Sequence, residues 1–174
     1  MIDSFETVDA IDAAMALWSR EVPDYDFTKV AIAVRIQHIA IRAQLDLQSI
    51  ARKFGIGAGE ADVLFCLQQS PPNYELPPSE LSRGCYVTTG AMTGRIDRLE
   101  KRGMVVRVPT PTDRRSLLVR LTALGRKTAF DLRDGLRYNS TFGLAVEELS
   151  QQDLAELNRR LRHLDLLLER CLAS

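Results

Sequence analysis

Residues 78–121 read PSELSRGCYVTTGAMTGRIDRLEKRGMVVRVPTPTDRRSLLVRL, and this stretch decides the fold. Pro78 suits the first turn of a helix, where its missing N–H has no intrahelical partner to lose, and "SELSRGC" continues as a short helix. "YVTT" turns the chain. Thr88 or Thr89 then caps "GAMTGRIDRLEKR" through a hydroxyl oxygen, and Gly103 closes that helix. "MVVRV" and "SLLVRL" are apolar and β-branched, and the polar "PTPTDRR" lies between them. That pattern predicts two short strands joined by a charged tip. Helix, turn, helix and ribbon, in this order, predict a winged helix-turn-helix.

Such a unit suits a duplex. A helix N-terminus fits the major groove, where base edges are distinguishable, and arginine on a ribbon tip suits the narrow minor groove. At about 100° per residue, Met92, Ile96 and Leu99 gather on one side of the second helix, which must be its core face. Gly90, Gly94, Asp97 and Lys101 lie opposite, with Thr93 and Arg98 on the flanks. Arg95 stands roughly 60° from the core direction and is expected to point along the protein body. Asp97 is expected to pair with Lys101, its i+4 neighbour. The charge distribution agrees with a polyanion partner. Segment 77–127 holds eleven basic and four acidic residues, a net of +7, within a chain whose formal charge is +0.

Outward from this block the chain reads helical. Val8, Ile11, Met15 and Trp18 recur at helical spacing until Pro23. A longer helix is predicted over 26–50, broken by Gly55, Gly57 and Gly59, and a short apolar one over 60–69. "SPPNYELPP" is expected to stop helix and sheet alike. Thr122 caps a helix running to about 145. Ser150 and Asp153 resemble a capping box before the last helix, with Asp in place of Glu. There Leu154, Leu157, Leu161, Leu164, Leu168 and Cys171 form a heptad seam. The plainer reading is a helix packed on its own core, but Leu166, Leu167 and Leu172 add a second apolar flank, which favours a dimer contact. The expected fold is mainly α with a small β-ribbon. N-terminal helices over 1–58 serve dimerisation and ligand contact, the winged helix-turn-helix covers 59–125, and C-terminal dimerisation helices cover 126–174.

Composition excludes several classes. With 174 residues, 45% hydrophobic and 26% charged, the chain is neither collagen-like, disordered nor a disulfide scaffold. Three scattered cysteines and two histidines suggest no disulfide framework and no metal site. Cys66, inside "VLFCL", reads as buried and inert. Cys85 lies at the bend near Arg83, and Cys171 lies on the seam. Oxidant sensing therefore ranks below ligand binding. The acidic N-terminus lacks a signal peptide, and no apolar run reaches the length of a membrane span, so a cytoplasmic protein with no membrane partner is expected. No phosphate loop, dinucleotide fingerprint, nucleophile elbow or H-E-x-x-H appears, so neither enzyme nor cofactor is predicted. His38 as a lone base is the weak alternative.

The string "PSELSR…VTTGAMTGRIDRLEKRGMVVRVPTPTDRRSLLVRLTALG" resembles the multiple antibiotic resistance regulator (MarR) family, most densely from 59 to 125. The resemblance implies a homodimer that places two winged helices on a pseudo-palindromic operator in double-stranded DNA. It implies a repressor whose DNA affinity a small ligand or an oxidant lowers. The DNA contacts then fall to Thr88, Thr89, Thr93, Arg98 and Lys101 on the helix. At the wing, Arg115 inserts with Arg114 beside it, and Asp113 orients Arg115. Gly94 departs from the family, whose members often carry Asn there.

The N-terminal helix with Trp18 further resembles the urate-responsive subfamily. In that likeness Trp18, Asp62, Arg95 and Arg107 surround an anionic aromatic or purine ligand: Trp stacks on the ring, and Arg pairs with the anion. Each also has a plainer role: Trp18 in a dimer core, Asp62 at a helix dipole, Arg107 on a phosphate. Two other classes stay open, a helical interaction protein that has lost its operator and a small enzyme. Steep salt dependence of duplex binding separates the first reading from both.

Overall fold

A computed structural model describes residues 8–110 and 117–173 of the chain. The chain divides into two units, Met1–Leu45 and Asp46–Ser174. In the first, α1 (Ala10–Glu21) begins at Asp9, whose carboxylate accepts from the N–H groups of Ile11 at 2.9 Å and Asp12 at 2.8 Å. This satisfies donors that a helix start leaves open. α2 (Thr28–Lys53) follows and supplies its last residues to the second unit.

The second unit continues with α3 (Ala58–Gln68), β1 (Glu75–Leu76), α4 (Pro78–Gly84), α5 (Thr89–Lys101), β2 (Val105–Pro109), β3 (Leu117–Leu121), α6 (Ala123–Asn139), α7 (Thr141–Glu147) and α8 (Gln151–Ala173). The predicted mainly α fold with a helix-turn-helix and ribbon is therefore present. Met92, Ile96 and Leu99 of α5 are fully buried against Leu64, Leu67, Leu81, Val105, Val119 and Leu132. Each such side chain contributes about 1.5–3 kcal/mol of burial, so the helical wheel fixes which way α5 faces.

Three expectations need correction. "SPPNYELPP" does not exclude a strand: Glu75 and Leu76 pair antiparallel with Arg120 and Val119, giving a three-stranded sheet in the order β1-β3-β2. Proline removes one donor, and Glu75–Leu76 sits between the prolines at the sheet edge, where that loss is tolerated. Gly59 does not break a helix but lies in the first turn of α3, which starts two residues earlier than expected. The helix after Thr122 does not reach 145. It ends at Asn139, and Ser140 starts α7 by accepting from the Gly143 N–H at 2.8 Å while donating to the Leu136 carbonyl at 2.5 Å. Ser150 does cap α8, accepting from the Asp153 N–H at 3.1 Å and donating to its carboxylate at 2.6 Å.

The junction of the sheet with α6 is tight. Thr122 Oγ1 donates to the Gly103 carbonyl at 2.7 Å and accepts from the Gly125 N–H at 3.0 Å. A Cβ on Gly125 would lie far inside van der Waals contact distance of the Met104 carbonyl oxygen. Gly103, at φ 68°, adopts the left-handed conformation that turns the chain out of α5.

Candidate nucleic-acid interface

The exposed side of α5 is built from its first turns. Thr88 is the N-cap, its hydroxyl accepting from the Ala91 N–H at 3.3 Å. Thr89, Gly90 and Thr93 are exposed, and Thr93 Oγ1 donates to the Thr89 carbonyl at 3.0 Å, which leaves its lone pairs outward. Lys101 is exposed at the far end. Beside Thr88 and Thr89 lies an open concavity of about 810 Å³, lined also by Ser79, Ser82, Arg83, Tyr86 and Val87. Tyr86 is 88% exposed and sits at φ 52°, a left-handed position unusual for an aromatic residue. The sequence reading passed over Arg83 and Tyr86 in this respect; an aromatic residue in the turn between two helices was the available signal. Asp113, Arg114 and Arg115 lie outside the described residues.

The arginines of α5 and β2 are held by carboxylates. Arg98 pairs through Nε with Glu60, whose other oxygen accepts from the Gly57 N–H at 2.5 Å. Burial pushes Glu60 upward, but the Gly57 N–H and Arg98 outweigh it and hold the carboxyl below its usual range. Asp97 pairs with Arg107 at 2.5 Å instead of Lys101, and Arg107 also binds Glu100. The i+4 expectation considered only the helix itself, whereas β2 brings a guanidinium across both carboxylates of α5.

Of the four residues expected around a ligand, the structure brings two together. Arg95 approaches Asp62 at 3.9 Å and lies over Gly59, where an added Cβ would stand 2.5 Å from the guanidinium carbon. Arg95 thus runs along the protein body, as the helical wheel required, and its buried Nη1 has no hydrogen-bond partner. Burial raises the Asp62 pKa, and the charge of Arg95 opposes that shift. Arg107 is engaged with Asp97 and Glu100. Trp18 belongs to the first unit, 47% exposed, with its ring 5.8 Å from that of Phe27. In the same unit Arg35 pairs with Asp9 at 3.0 Å and Asp12 at 2.6 Å, a clamp that sequence periodicity did not reveal.

The buried α3–α4–α5 core and the paired strands behind it define a winged helix-turn-helix protein. Residues 54–116 match the family model described as MarR family. The chain is 29% identical over 108 residues to the HTH-type transcriptional regulator PecS of Dickeya dadantii, covering 62% of this chain and 65% of that one. It is 44% identical over 50 residues to the multiple antibiotic resistance protein MarR of Escherichia coli, covering 29% of this chain and 35% of that protein. These relatives are thus matched over less than two thirds of their length. Among solved structures, AbsC, a MarR family transcriptional regulator from Streptomyces coelicolor, superposes with a TM-score of 0.68 at 21% identity, over 83% of this chain and 96% of that one. Apo wild-type MarR from E. coli superposes with a TM-score of 0.64 at 24% identity, over 76% and 95% respectively. At these identities the structural likeness speaks for the fold. Among the described residues no helix is long and apolar enough to cross a membrane.

Proposed function

We propose that the chain is a dimeric, sequence-specific DNA-binding transcriptional regulator, a repressor whose DNA affinity falls when a small anionic aromatic or purine ligand binds. The observation that carries this reading is α5. It buries Met92, Ile96 and Leu99 completely and turns Thr89, Gly90, Thr93 and Lys101 to solvent from a capped N-terminus. That is the disposition a helix needs to enter a major groove. PecS is named as an HTH-type transcriptional regulator, and AbsC as a MarR family transcriptional regulator.

The reading assigns DNA contacts to Thr88, Thr89, Thr93, Arg98 and Lys101, with Asp113, Arg114 and Arg115 at the wing. Binding of the chain to duplex DNA flanking its own gene, measured across a salt series, tests it; affinity that ignores salt sinks it. Within that assay Thr93→Val keeps the shape and removes the hydroxyl. It should weaken operator binding roughly five-fold, about 1 kcal/mol, with random duplex bound as before. Equal loss on both duplexes would move the specific contact elsewhere.

For the ligand, the reading takes Arg95 and Asp62 as the responsive pair, with Arg107 as a second cation. Support comes from Arg95 Nη1, buried and without a hydrogen-bond partner, a donor that an anion would satisfy. Gly59→Ala tests this without removing a charge. The new Cβ would meet the guanidinium at 2.5 Å, and that group ends a flexible side chain, so Arg95 should swing off α3 while the fold holds. Urate, xanthine and aromatic carboxylates titrated by calorimetry should bind the variant about ten-fold more weakly. Undiminished affinity in Gly59→Ala and in Arg95→Ala would remove Arg95 from the site.

A further inference from the structure

Cys66 on α3 and Cys85 at the end of α4 bring their Sγ atoms to 3.6 Å. The sequence reading left Cys66 buried and inert. It is instead half-buried, like Cys85, and both line an open cavity of about 270 Å³ together with Asp62, Phe65, Gln69, Gly84 and Tyr86. Gly84 flanks the sulfurs: a Cβ there would stand 3.3 Å from Cys66 Sγ. The pair therefore combines close approach with a route from solvent. Its two members are also unlike. The thiol of Cys85 hydrogen-bonds Cys66, which favours the Cys66 thiolate over the opposing effects of burial and Asp62. Serving as that donor, then burial and the neighbouring Asp62, hold Cys85 protonated, although Arg95 acts in the opposite direction.

We propose that Cys66 and Cys85 form an oxidisable dithiol that a hydroperoxide converts into an intrachain disulfide. The Cys66 thiolate attacks the terminal oxygen of the hydroperoxide. The O–O bond breaks, the alcohol or water leaves with a proton, and Cys66 becomes a sulfenic acid. Cys85 sulfur then attacks Cys66 sulfur. The S–OH bond breaks, and the hydroxyl departs as water with the proton of Cys85. Two thiols have lost two electrons, and the hydroperoxide has gained them. The sulfurs must close from 3.6 Å to about 2.05 Å. The bond would tie α3 to the end of α4, immediately before Tyr86 and the cap of α5. This chemistry is independent of whether the chain binds DNA.

The full chain carrying Cys171→Ser, treated with hydrogen peroxide or an organic hydroperoxide, should lose two hydrogens by intact mass. It should yield a peptide linking Cys66 to Cys85, and dithiothreitol should reverse the change. Cys85→Ser in that background should leave a sulfenic acid on Cys66 that dimedone traps, and Cys66→Ser should leave Cys85 unreacted. Thiols that stay titratable under peroxide able to oxidise free cysteine would overturn the proposal. So would Cys66 passing to the sulfinic acid with Cys85 untouched.

Discussion

Replacing Leu157 and Leu161 together by Glu should produce a monomer that remains helical and binds operator DNA at least about 100-fold more weakly. α8 exposes Leu157 at 44%, Leu161 at 47% and Leu168 at 55% along one seam, and Leu166 at 49% and Leu167 at 40% beside it. Single exposed leucines need no explanation, but a continuous stripe along one helix marks an association surface. Two carboxylates in that stripe would be buried without partners in a dimer and solvated in a monomer, so the penalty falls on association alone. On the proposed reading, operator binding through two linked half-sites then reverts to one, and the lost effective concentration is worth roughly 10²–10⁴. Light scattering reads the mass, and DNA binding reads the consequence. A variant that stays dimeric, or a monomer that binds the full operator as tightly, would show that α8 is not the dimer contact.

Gly125→Ala should cost about 2–3 kcal/mol of stability, the range for forcing atoms into a packed site. Its origin is backbone, not a flexible side chain: the new methyl would meet the Met104 carbonyl, which accepts from the Thr122 N–H at 3.1 Å. Relief requires α6 to lift from the start of β2 or Thr122 to give up its bonds to Gly103 and Gly125. Thermal unfolding should fall by roughly 4–12 °C. Gly90→Ala is the control, since a Cβ there meets nothing within 4 Å. Equal melting temperatures for the two variants would mean the junction relaxes freely.

What the sequence made legible follows from periodicity. The buried face of α5, a cap at Thr88 or Thr89, a helix carrying the α8 leucines and the direction of Arg95 all rest on local spacing; the structure places the cap on Thr88 and agrees with the other three. The reading failed where a distant element decides. β1 forms because β3 offers Arg120 and Val119 as partners, which no window around Glu75 contains. The split at Ser140 was hidden because Leu124, Leu132, Leu136 and Phe142 keep a helical pattern across it, while the serine acts through its hydroxyl. Asp97 was matched to the nearest cation in sequence when the nearest in space is Arg107. Cys66 and Cys85 stand 19 residues apart, without the spacing of any recognised thiol motif, and only the packing of α4 on α3 unites them.

The ion pairs around α5 change how the basic block acts at a distance. Four carboxylates from outside segment 77–127, namely Glu60, Asp62, Glu75 and Asp131, pair with its Arg98, Arg95, Arg120 and Lys127. Counting them in lowers the local surplus from +7 to +3. Seen from beyond a Debye length the surface is closer to zwitterionic than cationic, and its potential decays as that of a set of dipoles. Long-range steering toward a polyanion is correspondingly weak, and the strong attraction begins only at contact, where a guanidinium can exchange a carboxylate for another anion. Ionic strength should therefore act mainly on the lifetime of such a complex and only slightly on its rate of formation.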